Sequence, residues 1–391
     1  MLRSRSRVSA RLRRGTVALV VAALSLLATS VAPATAVTTP SSTLASSWLA
    51  AQVGPTGEVN IAGSTQSAVT QTMYVAQGLA ASGDRREALA RAMAFMSIGA
   101  HVEEWVTNDG SGATVAPAGS DLPERLASLI LLVNTTGGNP RAFGVPATDL
   151  VARAQNLYGL SEPGYYGYQE PYSAVQDQSM MVIALRTVGS PPPTAAVEWI
   201  VAQQCIGGSN PADTIGGWQA FRAVAGPGLA DCMSPDPLNY QGADTNSTAF
   251  AVQALFLFGR TTEAAEGLAF LLGAQATTGA FSGGFPWFTG GDVDPNSTAL
   301  VIQAIVAAGQ SPTSVVWSVG GSTPVSTLQL FQLTTPIADA GSLFAAWNPG
   351  VADLIASYQG IWGLTLTAFP FPVLPSISPD VEPVIQPAFT G

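Results

Sequence analysis

The stretch "GADTNSTAFAVQALFLFG" (242–259) has a counterpart fifty residues later, "DVDPNSTALVIQAIVAAG" (292–309). Each copy places Asp-x-Asn-Ser-Thr-Ala before an apolar run that stops at glycine. Side chains such as Asp, Asn or Ser can accept hydrogen bonds from the free N–H groups at a helix start. A glycine after the last turn can adopt the left-handed conformation that ends the helix. Each copy therefore predicts one capped helix.

Other segments share this template. When Gly83, Gly259 and Gly309 are aligned, the segment 70–83 brings three sets of residues into register: Thr72, Thr248 and Thr298; Gln77, Gln253 and Gln303; Leu79, Leu255 and Ile305. The segment 176–189 fits the same register, and 122–134 and 351–363 fit it more loosely. All six segments are apolar nearly all the way round, which predicts helices that are buried on every side.

A second, more amphipathic set alternates with the first and covers 44–53, 86–98, 148–160, 194–205, 262–276 and 325–333. Four of its members carry an apolar residue four positions before a glutamine: Trp48 and Gln52, Trp199 and Gln203, Leu271 and Gln275, Leu328 and Gln332. Three are followed by glycine and an aromatic residue, at Trp218, Phe281 and Phe344. An open stack of helix pairs needs polar caps at both ends, whereas a ring needs none. We therefore predict an all-α fold, a closed α/α toroid (double barrel) of six inner and six outer helices.

The N-terminus predicts export. Six arginines precede an apolar run that ends at Ala34-Thr35-Ala36, the pattern of a secretion signal (1–36) cleaved after Ala36; an anchor helix is the alternative. No later run of about 18 apolar residues follows, so we expect no membrane span in the mature chain. The predicted mature chain consists of the helical domain (37–363) and an extended, proline-rich tail (364–391).

The charge balance excludes several classes of function. The predicted mature chain keeps nine basic residues against 25 acidic ones, which repels nucleic acid and anionic lipid. The chain contains no lysine, so Schiff-base chemistry and a P-loop are excluded. His101 is the only histidine and lies far from both cysteines in sequence, which argues against a Cys/His metal site. We expect neither a metal nor a cofactor.

The glutamine, glycine and aromatic residues at the ends of the outer helices resemble the QW motifs of squalene-cyclase-type terpenoid cyclases. The alternation over 41–363 resembles the secreted actinobacterial branch of the terpenoid cyclase/protein prenyltransferase α/α-toroid family. Cobalamin carriers of the intrinsic factor type share that fold. The resemblance is more specific for fold than for activity.

The catalytic groups that the resemblance implies are absent. Related cyclases carry Asp-x-Asp-Asp-Thr-Ala at the helix start, and its middle Asp donates the first proton. Here that position holds Asn246 and Asn296, and neither amide can deliver a proton. The prenyltransferase zinc site also needs a histidine after Cys232, and none follows. We assign no catalytic residue and expect a protein that binds rather than reacts.

A calcium site at the second helix start was also considered. Asp292, Asp294 and Asn296 match the first three positions of a calcium-binding loop. Ser297 replaces its glycine and Gln303 its glutamate, which argues against calcium.

Aromatic loops precede several inner helices and should gather near one mouth of the ring, although packing under the outer helices is the alternative. The Asp residues at the helix starts oppose anion binding there, so we expect a largely apolar ligand with a small polar head, or an extracellular partner. The candidate ligand-binding residues are Trp218, Trp287, Phe285, Tyr166, Tyr168, Asp244, Asn246, Asp294 and Asn296.

Two other functions stay open. One is a terpenoid-cyclase-like or glycan-active enzyme that uses Asp213, Asp292 or Asp294, and the other is a corrinoid carrier whose lid lies on another chain. Two carboxylates that converge in the cavity would favour the enzyme. A lining of aromatic and amide side chains would favour binding.

Cys205 and Cys232 lie 27 positions apart in a chain that is predicted to leave the cytoplasm, which predicts a disulfide. The exported protein should therefore contain no free thiol. Mass spectrometry should find no alkyl adduct without reduction and two adducts after reduction. Alkylation of both cysteines without reduction would contradict the disulfide.

Overall fold

The computed structural model describes residues 39–111, 115–168, 173–225 and 228–375, and its main element is the α-helix. The predicted signal (1–36) and the tail beyond 375 lie outside these residues. The helices are α1 (Pro40–Ala51), α2 (Ala68–Ser82), α3 (Arg86–Met96), α4 (Gly99–Val106), α5 (Pro123–Thr135), α6 (Leu150–Asn156), α7 (Ala174–Thr187), α8 (Thr194–Gln203), α9 (Thr245–Leu257), α10 (Thr261–Ala274), α11 (Pro295–Ala307), α12 (Pro324–Gln329) and α13 (Leu354–Leu364). Short 3₁₀ turns cover Val315–Trp317 and Ile337–Asp339.

The strands are only two residues long and form three antiparallel pairs. β1 (Trp218–Gln219) pairs with β4 (Ala243–Asp244), β2 (Val224–Ala225) with β3 (Gly228–Leu229), and β5 (Leu343–Phe344) with β6 (Ala352–Asp353). The first and last pairs hold a loop against the start of the helix that follows it. The predicted all-α class is confirmed.

The twelve predicted helices are all present, with ends shifted by a few residues. One further helix, α4, was not predicted. This helix is short, and its buried residues are Val102, Trp105 and Val106. Three apolar positions are too few to reveal a helical periodicity in the sequence.

The repeated helix starts and ends form the predicted caps. A side-chain oxygen of Asp244 accepts a hydrogen bond from the Ser247 N–H at 2.7 Å, and the Asp294 carboxylate accepts one from the Ser297 N–H at 2.8 Å. Gly259 and Gly309 follow the same helices with φ of 74° and 70°, the left-handed conformation expected of them.

The six largely buried helices pack in chain order. Contacts join α2 to α5, α5 to α7, α7 to α9, α9 to α11 and α11 to α13, and α13 also packs against both α1 and α2. The remaining helices pack against this set, so each pair contributes one deeply buried helix and one more exposed helix.

The repeated threonine holds the loop that precedes its helix. The backbone N–H of Trp218 donates to the Thr248 hydroxyl at 3.0 Å, and that of Phe285 donates to the Thr298 hydroxyl at 3.0 Å. The same link recurs from Val59 to Thr72, from Leu343 to Ser357 and, with an amide acceptor, from Tyr166 to Gln178. A polar group inside each of these helices therefore satisfies a buried backbone donor.

Glutamines at the ends of outer helices join successive pairs. The Gln275 side-chain N–H₂ donates to the carbonyls of Gly283 and Trp317, both at 2.8 Å. Gln332 bonds in the same way to Gly341 at 2.9 Å and to Ser41 of α1 at 2.8 Å. We call this arrangement the glutamine clamp.

In the fourth pair the clamp residue is Gln204, which donates to Gly216 at 3.0 Å and to Glu263 at 2.9 Å. The sequence pattern predicted Gln203 for this place. Gln203 instead accepts a hydrogen bond from the Arg222 N–H at 3.0 Å.

Glycine is required beside each clamp. Gly216, Gly283 and Gly341 have φ of 89°, 91° and 98°, and an added Cβ would lie 2.4, 2.8 and 2.3 Å from a backbone oxygen of the next pair. The residue two positions later is fully buried in each case: Trp218, Phe285 or Leu343. Phe281 and Phe344, which the sequence pattern assigned to the motif, both pack against Phe331 instead.

The predicted extended tail is partly incorporated into the core. Phe369 and Phe371 are buried, the Phe369 N–H donates to Gln253 at 3.0 Å, and Gln303 donates to the Thr367 carbonyl at 3.0 Å. Within 364–375 the linker expectation is therefore wrong, because the repeated glutamines of α9 and α11 bind this segment.

Loss of one clamp should destabilise the whole fold. Gln275→Met leaves two buried carbonyls without their donor, so we expect the free energy of unfolding to fall by roughly 2–4 kcal/mol in chemical denaturation. Gln52→Met is the matched control, because Gln52 bonds only to Trp48 in its own helix and should change stability by about 0.5 kcal/mol or less. Equal losses in the two variants would contradict a special role for the clamp.

Candidate functional site

A cavity of about 220 Å³, which we call the central cavity, is lined by side chains from all six largely buried helices, which we call the inner helices: α2, α5, α7, α9, α11 and α13. Several lining residues lie in the first turns of their helices. The lining consists of Tyr74, Gln77, Trp105, Glu124, Arg125, Ser128, Gln176, Met180, Asn246, Phe250, Leu300, Tyr358, Gln359 and Trp362. Phe369 and Phe371 border a smaller space that shares Gln77, Ser128 and Met180 with the cavity. The tail segment therefore packs next to the cavity.

Four aromatic rings form one wall of the cavity. Tyr74 and Tyr358 stack with ring centroids 4.5 Å apart and planes 7° apart. Trp105 meets Tyr74 edge-on at 6.0 Å, and Trp362 meets Tyr358 edge-on at 5.2 Å. The Trp362 side chain is 3% exposed, and its indole N–H has no hydrogen-bond partner among the described residues.

Four amide side chains line the cavity, and a fifth, that of Asn296, bonds to one of them. The Asn296 side-chain amide donates to Gln359 at 2.6 Å, and Gln359 donates to the Tyr358 hydroxyl at 3.1 Å. Gln77, Gln176 and Asn246 add three more amides to the lining. An amide has both a hydrogen-bond donor and an acceptor, so these side chains can bind an uncharged polar group that donates or accepts a hydrogen bond.

Glu124 is the one carboxylate among the described lining residues, and Arg125 is the one cation. Removal from bulk water raises the pKa of Glu124, and the neighbouring Arg125 charge opposes that rise. The Glu124 side chain borders the cavity and remains accessible there. The Arg125 guanidinium lies over the Trp105 ring at 5.1 Å.

A second, more open space lies outside the helices, and we call it the groove. Its volume is about 490 Å³, and its lining comes from residues 219–223, 230–244 and 287–288. Trp287 is partly buried there and contacts Phe288 and Tyr240, with ring centroids 5.1 and 5.7 Å away. The Trp287 indole N–H donates to the Asp244 carboxylate at 3.2 Å.

The disulfide between Cys205 and Cys232 is present, as predicted. It ties the end of α8 to the segment that carries Asp231 and Met233, both of which line the groove. The disulfide thus holds one groove wall against the helical core.

Burial dominates the ionisation of Asp244. The side chain is 1% exposed, and desolvation raises its pKa to about 7, although the Ser247 N–H and the Trp287 indole favour the charged form. Desolvation also raises the pKa of Asp294 to about 6, while part of the Asp294 surface remains accessible.

The predicted binding residues do not gather at one mouth. Trp218, Phe285 and Tyr166 are fully buried, and the Trp218 indole donates to the Ile200 carbonyl at 2.7 Å, so the structure places all three in packing positions. Tyr168 is partly exposed and lines neither the cavity nor the groove.

The residues predicted at the helix starts are divided between the two spaces. Asp244 and Trp287 line the groove, whereas Asn246 lines the cavity. Asn296 reaches the cavity through Gln359, and Asp294 caps α11.

Sequence reasoning missed the residues that dominate the cavity: Tyr74, Glu124, Tyr358 and Trp362. They belong to helices that are apolar nearly all the way round, so no periodicity marks the face that borders the cavity. The available signal was a polar or bulky aromatic residue within a helix that was predicted to be buried on every side.

No protein-family model matches the chain, and no curated protein matches it. Within the described ranges, no group of three or more His, Cys, Asp or Glu side chains could hold a metal ion. In the same part of the chain, no helix is both long enough and apolar enough to cross a membrane.

Asp244 should titrate near neutral pH and be visible through Trp287. Between about pH 4 and 7 the folded state binds a proton that the unfolded chain has released, and this proton stabilises the folded state. The stabilisation is complete below about pH 4 and is lost as the pH rises through 7. Trp287 emission should change with a midpoint near pH 7, and Asp244→Asn, which keeps the cap, should abolish that step. Asp294→Asn is the control and should leave it in place. A step that survives Asp244→Asn would assign the titration to another group.

Proposed function

We propose that the helix pairs form a closed α/α toroid, resembling that of terpenoid cyclases, and that this secreted, non-catalytic protein binds a small ligand in the central cavity. The contacts of α13 with both α1 and α2 support the closed arrangement. The Gln332 clamp, which joins the last helix pair to Ser41 of the first, also supports it.

The observation that carries the binding function is the chemistry of the cavity lining. Aromatic rings and amides make up most of it, and Glu124 is its one carboxylate among the described residues. Asn246, at the position of the cyclase proton donor, borders the cavity as an amide, and Asn296 is hydrogen-bonded to Gln359. Acid–base chemistry needs a group that can transfer a proton, and these amides bind without transferring one.

The cavity volume limits the ligand. A space of about 220 Å³ lies below the roughly 300–1,000 Å³ that is typical of small-molecule sites, so a corrinoid with its large macrocycle is not favoured. The stacked tyrosines offer apolar area to a flat group. The Trp362 indole N–H and the amides of Gln77 and Gln176 can bind polar atoms around it. The lining therefore favours a small ligand with one apolar face and several hydrogen-bonding atoms, more polar than the sequence led us to expect.

One observation favours an enzyme as the second candidate. The raised pKa of Glu124 allows a protonated carboxyl group to lie beside the aromatic wall, as a general acid requires. The acids considered from sequence fit less well, because the Asp213 carboxylate is exposed and bonds to Ser234, and Asp294 caps α11.

The test is native mass spectrometry of protein purified from culture supernatant. We expect a bound small molecule that is lost in Met180→Trp, because the larger side chain fills the cavity. Gln241→Trp alters the groove instead and should retain the ligand. Far-UV circular dichroism should be unchanged in both variants.

Two results would contradict this proposal. One is a bound molecule that survives Met180→Trp and is lost in Gln241→Trp, which would place the site in the groove. The other is turnover of squalene or another polyprene that disappears in Glu124→Gln, which would establish the enzyme.

A further inference from the structure

We propose that the groove is a separate site that binds the alkylated ammonium group of a small organic cation. Its size falls in the range of small-molecule sites, and it is not part of the central cavity. The proposal depends on the aromatic rings, the charges and one unusual backbone conformation in the groove lining.

The aromatic rings form a continuous apolar surface. Trp287 lies between Tyr240 and Phe288, and Tyr240 also meets Phe288 edge-on at 6.3 Å. Phe221 and Met233 extend the lining, and Met233 is 45% exposed. The faces of such rings attract a cation through their quadrupoles, most strongly for tryptophan.

The charges in the groove favour a cation over an anion. Asp231 contributes an exposed carboxylate, Asp244 contributes a buried carboxyl group that is ionised above about pH 7, and no lysine or arginine is among the lining residues. Arg222, between two lining residues in sequence, is buried, and its guanidinium donates to the carbonyls of Ala230 and Gln204 at 2.8 and 3.0 Å. Asp231 is exposed, accepts a hydrogen bond from the Ser209 hydroxyl, and its charge interacts with that of Arg222. A bound ammonium group would give this carboxylate a second positive partner on its solvent-exposed side.

Tyr240 occupies a conformation that suits glycine. Its φ is 53°, and a bulky side chain in the left-handed region is strained. The side chain is 60% exposed, so burial does not account for the tyrosine. The turn from Asp236 to Gln241 holds the ring over the groove, beside Trp287. A ligand that contacts the ring would account for a strained, exposed tyrosine at this place.

The experiment uses tetramethylammonium and choline as probes on the full secreted protein, followed by Trp287 emission and calorimetry. The neutral isostere of choline, 3,3-dimethyl-1-butanol, tests the charge, and methyl glucoside tests a saccharide. We expect both cations to bind, the neutral isostere to bind at least about threefold more weakly, and high salt to weaken the cations alone.

Two variants localise the site. Tyr240→Gly removes the ring but also the strain, so it should fold normally and weaken choline binding by about 3- to 30-fold. Asp231→Asn, on an exposed side chain, should weaken it roughly threefold or more. Leu238→Ala lies in the same turn, is not part of the groove lining and should have no effect.

Equal affinity for choline and its neutral isostere would overturn the proposal, and so would binding of methyl glucoside without binding of either cation. Choline binding that is unchanged in Tyr240→Gly would place the cation elsewhere. Met180→Trp, which fills the cavity, should not alter choline binding. This site and the proposed cavity site can therefore fail independently.

Discussion

The hydrogen bonds of the clamp glutamines are the interaction on which the rest of the structure depends. Each clamp amide satisfies one carbonyl of its own loop and one carbonyl of the next helix pair, which fixes the distance between neighbours. At each clamp the loop lies so close to the backbone of the next helix pair that only glycine fits there. The buried loop residue that follows is then tied to a hydroxyl of the inner helix. Outer helix, loop and inner helix are thus positioned by a few buried polar contacts inside a mostly apolar core.

Both candidate sites meet at the start of α9. Asp244 caps this helix and lines the groove, while Asn246, two residues later, lines the cavity. The Thr245 N–H between them donates to the Trp287 carbonyl at 2.9 Å, which fixes the loop that carries the groove tryptophan. The capped start of α9 therefore borders the groove through Asp244 and the cavity through Asn246. The repeated Asp-x-Asn motif thus contributes one residue to each of the two spaces.

The helices and their caps could be predicted from the sequence, because periodicity, capping residues and terminal glycines are local signals. It did not distinguish Gln203 from Gln204, because the choice depends on which side chain faces the neighbouring pair. It placed Trp218 and Phe285 at a mouth, although the glycine conformation turns both residues into the core. The burial of Phe369 was also missed, since its partner Gln253 lies more than a hundred residues earlier. Tertiary contacts decide each of these features, and no local pattern encodes them.

The stacking of Tyr74 on Tyr358 joins the first inner helix to the last, across most of the described chain. Contacts between residues so distant in sequence carry a large loop-closure entropy, and proteins that depend on them fold slowly. Residues from α13 complete the aromatic wall, so the cavity does not exist until the final helix has been synthesised and has docked. Partly folded chains would then expose the apolar faces of the earlier helices. The order of synthesis thus makes aggregation before the last docking step the main kinetic hazard for this fold.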